Sequence, residues 1–403
     1  MKPLESISVL DFTRVLAGPT CTRILAELGA EVTKVEPPAG DISRIAAPQI
    51  NGQSAYFLQQ NGGKRNICLD LNWPQAKAAA YALAKQADVI VENFRPGTMK
   101  SFGLDYATLA QDHPGVVYVS MSGYGQDNPW STRPAFAPTV QAESGATHTQ
   151  LQHFGEQLTE PVTDWASHAD VYTGLEGAIA VLAGLNQLNA TGKGVYVDVS
   201  MMATMLSVNE RLHAQINALD ALGEPLALGA PESPMFTLAD GTLVTVAASP
   251  VAGGVFMRYC GMMGRNDLRN DPRFSTTQLR RDNLPALLAE IQAWMSSFRS
   301  FAELEYQVSG AGGLAVGQVR TSAQALDSEW ARAEQPTYAI TVGDQEMRLL
   351  KGPWKFNGQD TGALSRAATR GEHNREVLAS IGIDEATIKQ WEEQGILSSD
   401  GTE

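Results

Sequence analysis

Between Ile7 and Glu36 the chain spells a short apolar strand, a turn, a helix and a second strand, and that order admits few folds. Ile7 to Asp11 reads as the first strand. Ala17-Gly18-Pro19 turns the chain into a helix from about Thr20 to Leu28, with Ile24, Leu25 and Leu28 on one face, and Gly29 ends it. Glu31 to Glu36 is the next strand, stopped by Pro37-Pro38. Two strands joined through a helix run parallel, because the crossover must return over the sheet. Ile67 to Asp70, Val89 to Glu92 and Val116 to Ser120 continue the series, with a helix from about Pro74 to Gln86. Apolar strand centres bounded by turns suit a sheet covered on both faces. The expected class is α/β, with a Rossmann-like parallel sheet forming a large domain whose N-terminal part is residues 1–205.

The texture changes beyond a long helix expected from about Met201 to Leu219. Met235 to Ala239, the pair Asp240-Gly241 and Thr242 to Val246 spell a β-hairpin. Helical segments follow near Val255 to Gly261 and Leu284 to Ser297, so residues 225–325 read as a smaller α+β domain. Residues 330–403 return to short strands, Thr337 to Thr341 and Met347 to Leu350, and a closing helix around Asp384 to Gln394. This last segment is expected to rejoin the large domain.

The net charge of −14 argues against nucleic acid or an anionic membrane as a partner, since both require a basic surface. Any anionic ligand must meet a local cluster of cations. Arg14 follows the first strand, Arg44 the second, Lys64-Arg65 precede the third, and Arg95 with Lys100 follow the fourth. Ligands of parallel sheets bind at the carboxyl ends of the strands, where such side chains gather phosphates. The three cysteines, Cys21, Cys68 and Cys260, lie far apart with no metal-ligand spacing, which fits buried thiols in a reducing compartment. No apolar leader or long apolar run is visible, and a cytoplasmic location is expected. The G-x-G-x-x-G fingerprint, the P-loop, H-E-x-x-H and G-x-S-x-G are all missing, which disfavours NAD binding and offers no support for a serine hydrolase.

From His168 to Ser200 an acidic residue, Asp170, opens a helix rich in Ala, Gly and Leu, followed by Thr191-Gly192-Lys193-Gly194 and a strand, Val195 to Ser200. An acid in the first turn serves as a cap or as a nucleophile held against partly positive N–H groups. The segment alone favours the cap.

The ordered landmarks of the chain resemble the class III coenzyme A transferases, a group that also has a racemase branch. They include Asp11 to Pro19, Leu28 to Pro38, Gly63-Lys64-Arg65-Asn66, Ala87 to Gly97, Ser122-Gly123-Tyr124-Gly125, Thr191 to Gly194, Gly352-Pro353 with Lys355-Phe356, and Gly371-Glu372-His373. The resemblance implies that Asp170, four residues before Gly174, is the catalytic carboxylate, kept ionised by its helix N-terminus. It implies CoA contacts from Arg14, Val15 and Leu16 in the first loop and from Lys64 and Lys100, with Arg95 among the cations at the strand ends. Many members carry an Arg where this chain has Ser101 beside Lys100.

Coenzyme A or an acyl-CoA is then a substrate, no tightly bound cofactor or metal is expected, and the partner is a second copy in an interlocked homodimer. The expected reaction moves CoA from an acyl-CoA donor to a carboxylic acid through an aspartyl anhydride and an aspartyl-CoA thioester. The alternatives are an acyl-CoA racemase or a non-catalytic acyl-CoA-binding protein. Phe136 and Ala137 stand where the racemase branch has its His and Asp, which disfavours proton abstraction. Formyl-CoA transferases have a Gln near the position of Leu16 and a glycine-rich loop, of which Gly253-Gly254 is at most a remnant, so formate and oxalate are not supported. Trp130, Phe136, Met235 and Phe236 hint at a larger acyl group, though core packing is the ordinary task of each.

Overall fold

A computed structural model describes residues 2–154, 166–209, 212–217 and 235–400. The chain divides into two units, Met1–Glu210 with Gln335–Glu403, and Arg211–Glu334. The first is built on six parallel strands: β1 (Ser8–Phe12), β2 (Glu31–Glu36), β3 (Arg65–Cys68), β4 (Val89–Glu92), β5 (Val117–Ser122) and β6 (Val195–Ser200). Their order in the sheet is β3-β2-β1-β4-β5-β6.

Alternation along the strands sends side chains to two cores. On one face Val9, Val32, Val89, Val117 and Val119 pack with α1 (Ala17–Glu27) and α4 (His168–Thr191). On the other, Leu10, Val35, Ile67, Ile90 and Tyr118 meet α2 (Pro74–Ala84) and the C-terminal helices α8 (Asn374–Ser380) and α9 (Glu385–Glu393). Helix α1 starts at Ala17, earlier than its periodicity suggests. Pro19 falls within its first turn, where no intrahelical N–H bond is lost. The small residues of α4 serve close packing: a Cβ at Gly174 would stand 2.6 Å from the Ala17 carbonyl oxygen, and one at Gly184 2.6 Å from Val117 Cγ1. Two further helices flank the strand ends, α3 (Ala137–Glu143) and α5 (Met201–Ser207).

Two expectations need correction. Helix α5 stops at Ser207 and Asn209 is not helical, so the long helix from Met201 is interrupted; residues 218–219 lie outside those described. The sheet is not covered on both faces throughout, because Tyr196 and Asp198 on edge strand β6 are exposed.

In the second unit the hairpin of β7 (Met235–Thr237) and β8 (Leu243–Val246) is joined by β9 (Val316–Gln318). Its core gathers Phe236, Val244 and Val246 with Tyr259 of α6 (Gly253–Met263) and Ile291 of α7 (Leu284–Met295). Residues 225–234, assigned to this part from sequence, lie outside those described. In the first unit, β10 (Thr337–Val342) and β11 (Gln345–Leu350) form a further antiparallel pair. Among the described residues no helix is long and apolar enough to cross a membrane.

Candidate active site

From β1 the chain passes to β2 on one side of the sheet, while β4 lies on the other, so the loops after β1 and β4 part above neighbouring strands. A crevice at such a point is where α/β sheets bind ligands. Here the two loops are tied across it: the Arg14 N–H donates to Asn93 Oδ1 and Asn93 Nδ2 donates to the Arg14 carbonyl, both at 2.9 Å. Over them lies a cavity of about 340 Å³, lined by Arg14, Val15, Arg95, Arg133, Phe136 and Asp170 among others.

Asp170 is the acid in this cavity, on the first turn of α4. Burial raises its pKa to about 6, and backbone N–H groups of Ala17 and Ala137 pull against that rise. Those donors begin α1 and α3, whose N-cap residues, Leu16 and Phe136, offer no side-chain cap. The carboxylate on α4 therefore faces the starts of two other helices that have no side-chain cap of their own. Asp170 does sit in the first turn of its own helix; the largest influence on it is desolvation, and the N–H groups that oppose it belong to the two other helices. Among the described residues no cation forms an ion pair with it. Gly174 allows the approach, since any side chain there would strike α1 at Ala17 and Thr20. Tyr56 is half-buried nearby; burial, then the charges of Asp170 and Asp41, push its phenol up, so it stays protonated.

Beneath the first loop lies a buried cluster of four charges. Lys64 donates to Thr22 Oγ1 at 2.7 Å, Asn61 Oδ1 at 3.0 Å, Asp11 Oδ2 at 3.1 Å and the Pro19 carbonyl at 3.3 Å. Lys34 pairs with Asp41 at 3.1 Å and donates to the Thr13 carbonyl at 2.6 Å. Burial would raise Asp11, but Lys64, Lys34 and the Thr13 and Thr22 hydroxyls overcome it and hold the carboxyl below its usual value. Burial brings Lys64 down to about 8 against the pull of Asp11. Lys64 thus does not reach the cavity. Its three ammonium protons are committed internally, so the structure places Lys64 in the support of the first loop and not among the cavity-lining residues where a CoA contact was expected.

The other expected contacts separate. Arg14 and Val15 line the cavity, whereas Leu16 is buried at the start of α1. Arg95 lines both this cavity and a neighbouring one of about 260 Å³, which also takes Lys100. Tyr106 and Tyr196 stack there with centroids 5.5 Å apart, and Tyr118 lies beside them. Glu92, at its wall, is pushed up to about 7 by burial, against the Ser120 hydroxyl and the Phe94 N–H.

Arg133 was not singled out from sequence. Its guanidinium stacks over Trp130 at 4.5 Å and Tyr124 at 5.0 Å and pairs with Glu143. An arginine between aromatic residues in a loop was the available signal. Of the four aromatic and apolar candidates, only Phe236 is core; Trp130, Phe136 and Met235 are exposed, and Phe136 borders the cavity. All three cysteines are free and buried. Among the described residues no cluster suits a metal ion.

The model of CoA-transferase family III matches residues 4–374. An acyl-CoA transferase of Fusarium pseudograminearum is 32% identical, with 98% of this chain and 88% of that protein covered. A succinyl-CoA:mesaconate CoA-transferase of Haloarcula marismortui is 30% identical over 96% of this chain and 98% of its own. The crystal structure of Rv3272 from Mycobacterium tuberculosis, orthorhombic form, superposes with a TM-score of 0.78 at 30% identity, covering 94% of this chain and 99% of that one. The chain belongs to CoA-transferase family III, enzymes whose substrates are an acyl-CoA and a carboxylic acid.

Proposed function

We propose that the protein transfers CoA from an acyl-CoA to a free carboxylic acid with Asp170 as covalent nucleophile. The observation that carries this is a desolvated carboxylate, with no ion pair among the described residues, facing backbone N–H groups in a cavity at the strand ends. The carboxylate attacks the thioester carbonyl, and collapse breaks the carbon–sulfur bond to give a mixed anhydride and CoA thiolate. The thiolate attacks the aspartyl carbonyl, releasing the donor acid and leaving an aspartyl-CoA thioester. The acceptor carboxylate attacks that carbonyl in turn, expelling thiolate and forming a second anhydride. Thiolate then attacks the acceptor's acyl carbon, which releases the new acyl-CoA and restores Asp170. One thioester replaces another, so the exchange needs no energy source, and each displacement is easier than a direct one.

The N–H groups of Ala17 and Ala137 suit the oxygen of Asp170 as it becomes an anhydride carbonyl and then, under attack by thiolate, an oxyanion. Arg14, Arg95 and Lys100 suit the phosphates of CoA, and the tyrosines of the second cavity suit its base. Arg133 suits a second carboxylate on the acid, as mesaconate has in the archaeal relative. The outer face of α4 carries Val171, Leu175, Ile179 and Leu182 in helical register, all exposed, which supports a second copy covering it in a homodimer. Mass spectrometry after hydroxylamine or borohydride trapping during turnover tests the mechanism. A modified Asp170 is expected, and turnover at the wild-type rate by Asp170→Ala would refute it.

A further inference from the structure

We infer that Asp41 is a positioning residue: its carboxylate holds the Val15 peptide in a left-handed turn, and that turn aims the first N–H of α1 at Asp170. Val15 has φ +67°, a region that a β-branched side chain almost never adopts. Such a conformation persists only where surrounding contacts over-determine it, and it concentrates at functional sites. Here the Val15 N–H donates to both oxygens of Asp41, at 3.1 and 3.2 Å. Asp41 is itself fixed, 2% exposed, by the Ser43 N–H at 3.0 Å and by Lys34 at 3.1 Å. Lys34 also holds the Thr13 carbonyl, and Asp11 accepts the Thr13 N–H at 2.8 Å. One buried ion pair thus grips the loop on both sides of Arg14.

Two residues beyond Val15 the helix begins at Ala17, which lines the same cavity as Asp170 and whose peptide packs against α4 at Gly174, so the first N–H of α1 lies on the side of the carboxylate that it helps to keep ionised. Rotating the Val15 peptide into an ordinary region would swing that N–H away. Asp41 also caps the turn Ile42–Ile45 through the Ser43 N–H, but that task makes no demand on Val15. Arg14, Arg95 and Arg133, the other charged groups lining the cavity of Asp170, are left in place by the test; Asp41→Asn removes one of the charges that push the Tyr56 phenol up, and Asp41→Glu, which keeps that charge, controls for it.

The kinetic consequence rests on Asp170 being the nucleophile; the geometric one does not. The test therefore reads Asp170 directly, by 13C NMR titration of side-chain carboxyls in the full chain, assigned with Asp170→Asn. Asp41→Asn and Asp41→Glu are compared, the second keeping the buried charge should the first fail to fold. Asp170 is expected to titrate about half a pH unit or more higher in both, because the start of α1 that favours its charged form turns away. In the Val15→Gly background the same substitutions are expected to shift it by no more than half as much, because glycine holds the left-handed turn unaided. An unmoved titration in both Asp41 variants, or an equal shift in the Val15→Gly background, overturns the proposal. In a CoA-exchange assay, kcat is expected to fall about tenfold with KM changed less than twofold. If Asp170 moves as expected while Asp170→Asn keeps full transferase activity, the positioning role stands and the nucleophile reading falls.

Discussion

Asp11 and Asp170 are two carboxylates withdrawn from water on the same unit, and their surroundings divide their tasks. Asp11, at the end of β1, receives an ammonium from Lys64, the Thr22 hydroxyl and the Thr13 backbone and hydroxyl, and stays ionised well into acid. Asp170, among the described residues, is answered by backbone N–H groups alone, and burial pushes it up to about 6. A carboxylate whose charge is fully answered is inert mortar. One whose charge is answered only by dipoles keeps the capacity to share its electrons with an incoming carbonyl carbon. The lysines and arginines divide the same way: Lys34 and Lys64 are consumed inside the loop support, while Arg14, Arg95 and Lys100 stand at the cavities.

The widest separation is expected from Asp170→Asn. Transferase kcat should fall by about a thousandfold or more with the fold intact, as when a nucleophile is removed. Lys64→Met should do the reverse, lowering unfolding free energy by about 3–5 kcal/mol through the stranded Asp11 charge, measured by denaturant titration. A Lys64 variant that instead kept its stability and lost only acyl-CoA affinity would break the comparison. Arg95→Ala should raise KM for the acyl-CoA about tenfold without moving the melting temperature, as expected for a contact in the cavity and not in the core.

The smallest effect concerns pH. The folded pKa of Asp170 lies above its unfolded value, so its stabilising share is present below about pH 4 and is lost as pH rises through about 6. Asp170→Asn should therefore be more stable than wild type by about 2 kcal/mol at pH 8, with the gain vanishing near pH 4. Wild-type kcat/KM should fall as pH drops through about 6, since the attacking form is the carboxylate. A melting curve for the variant parallel to wild type at every pH would show that Asp170 carries no desolvation cost.

Much of the scaffold was legible because it is written locally. Strands of four to six residues with apolar centres, helices after the first and third of them, and glycine or proline stops gave the parallel sheet and the crevice above Arg14 and Arg95. The acid four residues before Gly174 was also visible, and the ordered landmarks pointed to its family. The interruption after Ser207 was missed because the apolar period runs on across it.

What only tertiary structure decided is how each charge is answered. Lys64 and Arg95 are both cations next to strands in the sequence, yet one is sealed against Asp11 and the other faces two cavities. The left-handed Val15 and its tie to Asp41 leave no mark in a local pattern, because the holding group arrives from another loop. The same applies to the N–H groups of Ala17 and Ala137 around Asp170. Periodicity encodes which residues face a core, whereas desolvation and hydrogen bonding depend on what distant segments bring to the same few ångströms.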